Sequence, residues 1–260
     1  MRYWEGESTA VWERKWNVPY LEIHESLPST NDRARELARE RAIPFSVVIA
    51  EAQTAGKGRA GKRWDSPAGM GLWLSFLLTS RSQREPVLVP ILAGLAVARA
   101  IEALCSGSEP KIKWPNDIEL DGRKVAGILC EGEGTGTLVV GIGVNVRQAE
   151  EDFDRILQGR AISLEGAGYF VERGEFICAL FSEVHRFLDP LPKFLDESLR
   201  REFECRDTLI GRMVSTDTGL QGRAMGISSD GALILEVDGI LSAIRAGSVR
   251  VNSAQSKKQT

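Results

Sequence analysis

Gln53-Thr-Ala-Gly-Lys-Gly-Arg-Ala-Gly-Lys-Arg-Trp64 is a stretch that places three glycines and four cations within eight consecutive residues. Glycines let the backbone approach a ligand closely and expose successive N–H groups, and the cations supply charge for an anion. The stretch therefore predicts a loop that binds a phosphate-bearing ligand. Its cations are Lys57, Arg59, Lys62 and Arg63.

Two familiar phosphate-binding motifs resemble this loop, and the sequence disfavours both. Gly56, Gly58 and Gly61 fit the dinucleotide fingerprint, and the loop is one residue short of a P-loop. Both motifs open a helix, whereas Ser66-Pro-Ala-Gly69 follows here and disfavours helix continuation. Arg63 also occupies the position at which a P-loop needs a Ser or Thr hydroxyl for magnesium.

Composition narrows the class of protein. With 260 residues, 43% of them hydrophobic, the chain suits one large domain or one large and one small domain. A net charge of −3 provides no basic field for nucleic acid. The four cysteines lack Cys-x-x-Cys spacing, which argues against a disulfide framework or a zinc site. No signal core is present and no apolar run approaches about eighteen residues, so we expect no membrane segment and a cytoplasmic protein.

Hydrophobic patterning predicts helices and strands on both sides of the loop. Residues 1–19 predict an irregular arm. The predicted strands are residues 20–24, 47–50, 72–78, 111–113, 124–129 and 138–146, the last two as a hairpin. The predicted helices are one that begins near Ser29, residues 87–104, residues 170–188 and one that ends near Glu204. The loop thus connects two predicted core strands, residues 47–50 and 72–78.

After Gly211 the spacing of apolar residues changes from a helical to a strand-like pattern. Five short apolar segments are separated by turns that include Asp230-Gly231 and Asp238-Gly239, both strong hairpin signals. This spacing predicts a small β-barrel. We expect a large domain over residues 1–208, the barrel over 209–253 and a polar tail over 254–260.

Five motifs, in the same order along the chain, resemble those of biotin protein ligases, and the resemblance as a whole covers about residues 20–252. Lys57 and Lys62 replace arginines of that family's loop, which keeps the charge but loses the planar fork of arginine. Without the resemblance, Ser29-Thr30-Asn31 is equally well explained as a capped helix start. The motifs are Ser29-Thr30-Asn31, the loop with Trp64, Lys113-Trp-Pro-Asn-Asp117, Lys124-Val-Ala-Gly-Ile-Leu129 and Gly141-Ile-Gly-Val-Asn145.

The resemblance implies an α+β fold, with a mixed β-sheet, packed helices and a C-terminal barrel of the Src-homology type. It implies that ATP, with Mg²⁺, activates biotin as biotinyl-adenylate, and that biotin then passes to a lysine of the carrier domain of a biotin-dependent carboxylase. The biotin carboxylate is already ionised at neutral pH, so the chemical difficulty is to bring two anions together. The sequence leaves open whether the protein is a monomer or a homodimer.

The resemblance also assigns residues to roles. It implies that Arg59 and Lys113 are the catalytic residues and that Trp64 stacks on adenine. Biotin binding is expected from Ser29, Thr30, Asn31, Gln53, Gly56, Arg59, Lys113 and Gly127. Nucleotide binding is expected from Lys57, Gly58, Arg59, Arg63, Trp64 and Asn145, with Asn145 near the nucleotide's magnesium and no metal cluster made by the protein.

Two other functions are weighed against this one. A lipoyl or octanoyl ligase has a related fold, but it lacks the Gly-x-Gly-Arg-x-Gly loop. A ligase that doubles as a DNA-binding repressor carries an extra N-terminal helix-turn-helix domain. Only about twenty residues precede the first predicted strand, so we expect a ligase that does not bind DNA.

Overall fold

The N-terminal segment is more ordered than the sequence predicted. The computed structural model describes residues 3–40, 43–79, 85–133 and 136–252. The chain begins with β1 (Tyr3–Trp4), β2 (Glu7–Ser8) and α1 (Thr9–Trp16). The prediction of an irregular arm was wrong because Trp12 and Trp16, four residues apart on one face of α1, stack with ring centroids 5.2 Å apart and are buried.

A mixed seven-stranded sheet forms the centre of the molecule. In the order β3-β4-β5-β9-β8-β7-β6, only β3 and β4 are parallel neighbours. The predicted hairpin is confirmed as β8 and β9, which pair antiparallel. The strands are β3 (Leu21–Leu27), β4 (Val47–Gln53), β5 (Gly71–Thr79), β6 (Lys111–Lys113), β7 (Asp117–Leu120), β8 (Arg123–Glu133) and β9 (Thr137–Asn145).

Helices cover both faces of this sheet. These are α2 (Thr30–Glu40) and α3 (Glu85–Leu104), while α4 (Arg173–Leu188) packs on α3 and α5 (Glu197–Glu204) contacts the C-terminal unit. Side chains alternate along β4, so Val47 and Ile49 join the main core while Val48 packs in a smaller core with Leu37 of α2. The main core contains α3 and α4. Burial on both faces explains why the central strands are continuously apolar.

Helix α3 corrects one expectation from the sequence. Its window Val87–Leu104 spans 18 residues with a mean hydropathy of 2.0, which is long and apolar enough for a membrane span. The helix is nevertheless 72% buried in that window, between the sheet and α4. We interpret it as a core helix, whose apolar residues are needed on all sides because protein surrounds it.

Five strands form the predicted C-terminal unit, namely β10 (Met213–Thr216), β11 (Gln221–Ile227), β12 (Leu233–Val237), β13 (Ile240–Ile244) and β14 (Val249–Val251). They make an antiparallel sheet in the order β13-β12-β11-β10-β14. Within residues 136–252, β13 and β14 are not paired with each other, so strand pairing does not close the expected barrel. The three-residue β14 pairs with β10 instead. The α+β class with a small C-terminal β unit is confirmed.

The aromatic packing of the arm predicts how much the arm contributes to the free energy of unfolding. Trp16 is 1% exposed and stacks on Phe181 of α4. Trp16→Ala should therefore lower the free energy of unfolding by about 3–5 kcal/mol, measured by urea denaturation. Tyr3→Ala is the matched control, because Tyr3 is 69% exposed. Equal stability of the two variants would show that the arm is not part of the core.

Candidate ligand-binding site

A cavity opens between the start of α2, the glycine- and cation-rich loop and one face of the central sheet. It holds about 460 Å³ of empty space, counted together with its open mouth. Its lining combines polar, cationic and glycine residues. They are Ser29, Thr30, Asn31, Gln53, Lys57, Gly58, Arg59, Trp64, Leu74, Asn116, Lys124, Gly127, Ile128, Leu129, Gly141, Ile142 and Gly143.

The fold brings most of the expected site residues to this one cavity. Nine of the thirteen line it: Ser29, Thr30, Asn31, Gln53, Lys57, Gly58, Arg59, Trp64 and Gly127. The other four, which do not line it, are Gly56, Arg63, Lys113 and Asn145. Because Asn116, Gly141 and Gly143 also line it, all five motifs converge on the cavity, although they are far apart in the chain.

Hydrogen bonds fix the polar end of the cavity. Gln53 Oε1 accepts from the Thr30 amide at 2.8 Å, and Gln53 Nε2 donates to Ser66 Oγ at 2.8 Å. Ser75 Oγ, fully buried, lies 2.8 Å from Thr30 Oγ1 and 2.6 Å from Asn31 Oδ1. These bonds hold the wall in one arrangement, which preorganises it for a polar ligand. The sequence did not identify Ser75, because it lies in an otherwise apolar strand.

Glycines on β8 and β9 make the floor of the cavity. Gly127 and Gly143 are direct partners across the two strands. A Cβ atom on Gly143 would lie 2.6 Å from the Trp64 indole, and one on Gly127 would lie 2.9 Å from it. A Cβ on Gly141 would lie 2.1 Å from Asn31 Oδ1. Only glycine leaves room for these two side chains against the sheet.

The loop itself follows the sequence prediction. It forms only a short 3-10 turn, Arg59–Gly61, and leads into strand β5 rather than a helix. Arg59 donates to Asn116 Oδ1 at 3.1 Å and to the Gly247 carbonyl at 3.0 Å. Gly247 lies between β13 and β14, so the loop touches the C-terminal sheet. Arg63 is exposed, and its side chain donates to the Thr54 carbonyl at 3.3 Å.

Lys124 is a cavity residue that the sequence did not single out. Its Nζ lies 2.5 Å from Asp117 Oδ1 and 5.0 Å from the centroid of the Trp64 ring. The β7–β8 register is Asp117 with Gly127 and Glu119 with Lys124, which leaves Val125 as an extra residue. This bulge turns Lys124 to the same face as Gly127. The signal in the sequence was the first residue of the Lys-Val-Ala-Gly-Ile-Leu motif.

Lys113 and Asn145 lie outside the lining, and their expected roles stay predictions. Lys113 Nζ is 4.0 Å from Glu119 Oε1, and burial raises the pKa of Glu119. Asn145 is buried, and its amide donates to the Ile162 carbonyl at 3.1 Å and to the Lys124 carbonyl at 3.4 Å. Asn145 therefore supports the backbone of Lys124 in this structure.

The polar wall predicts a difference between two buried serines. Ser75→Ala removes the serine partner of Asn31 Oδ1 and one of the two side-chain partners of Thr30 Oγ1, so the free energy of unfolding should fall by about 1–3 kcal/mol. Ser46→Ala is the matched control, because Ser46 is fully buried and its hydroxyl has no partner among the described residues. Thermal unfolding compares the two. A larger loss for Ser46→Ala would contradict the proposed network.

Comparisons with known proteins agree with this geometry. The model of the biotin/lipoate A/B protein ligase family matches residues 24–147. The chain is 35% identical to the bifunctional ligase/repressor BirA of Bacillus subtilis, over 84% of this chain and 70% of that protein. It is 33% identical to the biotin–[acetyl-CoA-carboxylase] ligase of Paracoccus denitrificans, over 80% of this chain and 90% of that protein.

Solved structures lead to the same conclusion. The biotin protein ligase of Aquifex aeolicus in complex with biotin and ATP has a TM-score of 0.79 and 26% identity, over 90% of this chain and 100% of that chain. Curated relatives and solved structures thus agree on the branch of the family as well as on the fold. The chain belongs to the biotin/lipoate A/B protein ligase family and, within it, to the biotin protein ligases.

Proposed function

We propose that the protein joins biotin to ATP as biotinyl-adenylate, releasing pyrophosphate, and then transfers biotin to a lysine of a carrier domain. The observation that carries this proposal is the single cavity that joins a hydrogen-bonded polar wall to a cationic loop over a glycine floor. The wall suits the polar ring of biotin, and the cations suit a carboxylate and a phosphate. Membership of the biotin protein ligases supports the same activity.

The two substrates fit the two ends of the cavity. We place biotin's ring at the wall made by Ser29, Thr30, Asn31 and Gln53, with Gly56 supporting the loop beside it. The nucleotide then lies toward Trp64, whose indole N–H is buried without a partner among the described residues. The carboxylate and α-phosphate meet between these ends, where Lys124 lines the cavity.

Charge stabilisation is the main chemical task of the site. The biotin carboxylate attacks the α-phosphate as an anion, so no protein base is needed for this step. Arg59 is bound to two neutral oxygens, those of Asn116 and Gly247. Because hydrogen bonds to a charged acceptor are stronger, a phosphate can replace these partners. Magnesium arrives with the triphosphate, which supplies most of its ligands together with water.

The macromolecular partner is proposed to be the carrier domain of a biotin-dependent carboxylase. The net charge of −3 favours a protein over a nucleic acid as partner. We assign adenylation to residues 1–208 and acceptor contacts to residues 209–253, with a polar tail over 254–260. The contact between Arg59 and Gly247 means that the second unit also borders the adenylation site. We propose a cytoplasmic location, where ATP is available.

An assay with three acids tests the function. The purified protein is incubated with MgATP, a carrier domain and biotin, lipoate or octanoate in turn, and the mass of the carrier is measured. We expect a mass increase of one biotinyl group and none with the other acids. Transfer of lipoate or octanoate in preference to biotin would overturn the proposal in favour of a lipoyl-type ligase.

Two lysines give a sharp test of the mechanism. Lys124→Met should slow adenylation by about 10²–10³-fold, the scale for loss of one preorganised donor. Lys113→Met should have a smaller effect, because Lys113 does not line the cavity. Single-turnover release of pyrophosphate measures both rates. The reverse order would restore Lys113 as the main catalytic cation.

The glycine floor gives a second test. Gly143→Ala places a methyl group 2.6 Å from the Trp64 indole, so the ring must move. Such overpacking costs about 1–3 kcal/mol, and we expect the KM for ATP to rise by roughly tenfold or more. Gly132→Ala on the same hairpin is the matched control, because its Cβ would lie 4.0 Å from the nearest atom. An unchanged KM in Gly143→Ala would separate Trp64 from nucleotide binding.

A further inference from the structure

The two strands that carry the ligand loop separate before the loop begins. Strands β4 and β5 pair from Val47 opposite Phe76 to Ala50 opposite Trp73. Beyond that point β4 continues to Gln53, while β5 begins at Gly71. Residues 54–70 form the connection between them and include the cationic loop. Pairing resumes only inside the loop segment, where the Gln53 amide donates to the Ser66 carbonyl at 3.1 Å, so strand pairing does not join Glu51 to Gly71 in the described structure.

Arg173 supplies that contact. Its side chain is 6% exposed and lies at the start of α4. One terminal nitrogen, Nη1, donates to Glu51 Oε2 at 3.0 Å and to the Gly71 carbonyl at 3.2 Å, and Nη2 donates to Glu51 Oε1 at 3.0 Å. The guanidinium thus joins one root of the loop, at Glu51, to the other root, at Gly71. Its planar fork matches this bidentate arrangement, which a lysine could not reproduce.

The N-terminal arm completes the same cluster. Arg173 Nε donates to Glu5 Oε1 at 2.9 Å, Nη2 also donates to Glu5, and the Trp4 indole N–H donates to Glu51. The five N–H groups of Arg173 are thereby all used. Burial alone would lower the pKa of Arg173, but its bonds to Glu51 and Glu5 raise it, so the group stays charged.

Contacts continue from this cluster to the ligand cavity. Two residues beyond Gly71 on β5, the Trp73 indole N–H donates to the Pro67 carbonyl within the loop segment at 3.3 Å. The Trp73 ring also lies 6.4 Å from the Trp64 ring, edge to face. A shift of Gly71 would therefore move a residue that holds the loop and touches the proposed adenine site.

We propose that Arg173, supported by Glu5 of the arm, is a positioning residue that clamps the two roots of the ligand loop. The arm then contributes to the activity without touching a substrate. This inference rests on the proposed function for the identity of the ligand, biotinyl-adenylate. The order of the loop can be measured without ligand, so that part of the inference does not depend on the proposed function.

The test compares Glu5→Gln and Arg173→Lys with Arg99→Lys. Arg99 is a matched control, because it also joins two glutamates, Glu202 and Glu183, but it lies among the helices rather than at the loop. Amide hydrogen exchange of peptides covering residues 54–70 is measured in each full-length protein, without ligand and with biotin and MgATP. The release rate of biotinyl-adenylate is measured in parallel.

We expect exchange in residues 54–70 and adenylate release each to rise by roughly tenfold in Glu5→Gln and Arg173→Lys, within the usual range of coupling between sites. Arg99→Lys should lower the melting temperature without either change. Equal loop exchange in Glu5→Gln and Arg99→Lys would overturn the clamp, and this pair decides the question if Arg173→Lys does not fold. A parent protein whose loop is not protected by biotin and MgATP would contradict the proposed function, while exchange without ligand still tests the clamp.

Discussion

The absence of side chains at Gly127, Gly141 and Gly143 is the constraint on which the site depends. These positions lie on the neighbouring strands β8 and β9 of the central sheet and line the cavity. Because they are glycines, Asn31 reaches the sheet from α2 and Trp64 reaches it from the loop. A single methyl group at any of them would push one of these side chains away. The cavity thus exists because these three positions carry no side chains inside an otherwise well-packed domain.

The loop that covers this floor is held from both ends of the chain. Arg59 reaches the Gly247 carbonyl of the C-terminal sheet, and Arg173 joins the loop's roots to Glu5 of the N-terminal arm. In both cases a guanidinium provides several fixed donors where strand pairing is missing. The C-terminal unit therefore contacts the loop directly, and in the proposed clamp the arm acts on the loop through Arg173, so the proposed division of labour between residues 1–208 and 209–253 is not strict.

Local patterns predicted the helices and strands well because burial sets their periodicity. The apolar runs before and after the loop, the β8–β9 hairpin and the five C-terminal strands all lie where the patterns placed them. The features that the sequence did not predict depend on strand register and on contacts between residues that are distant in the chain. The bulge at Val125 turns Lys124 into the cavity, and no alternation rule reveals an extra residue in a strand. The arm is ordered by tryptophans that pack on α4, more than 150 residues away.

The most direct measurement is native mass spectrometry of the purified chain after incubation with biotin and MgATP and removal of free ligands. If the cavity is one continuous site for both substrates, one biotinyl-adenylate should remain bound per chain, and it should be absent when either substrate is omitted. Retention of biotin and ATP together, with no adenylate formed in the parent protein, would contradict the account, because it would mean that the cations of the cavity do not bring the two anions into reaction.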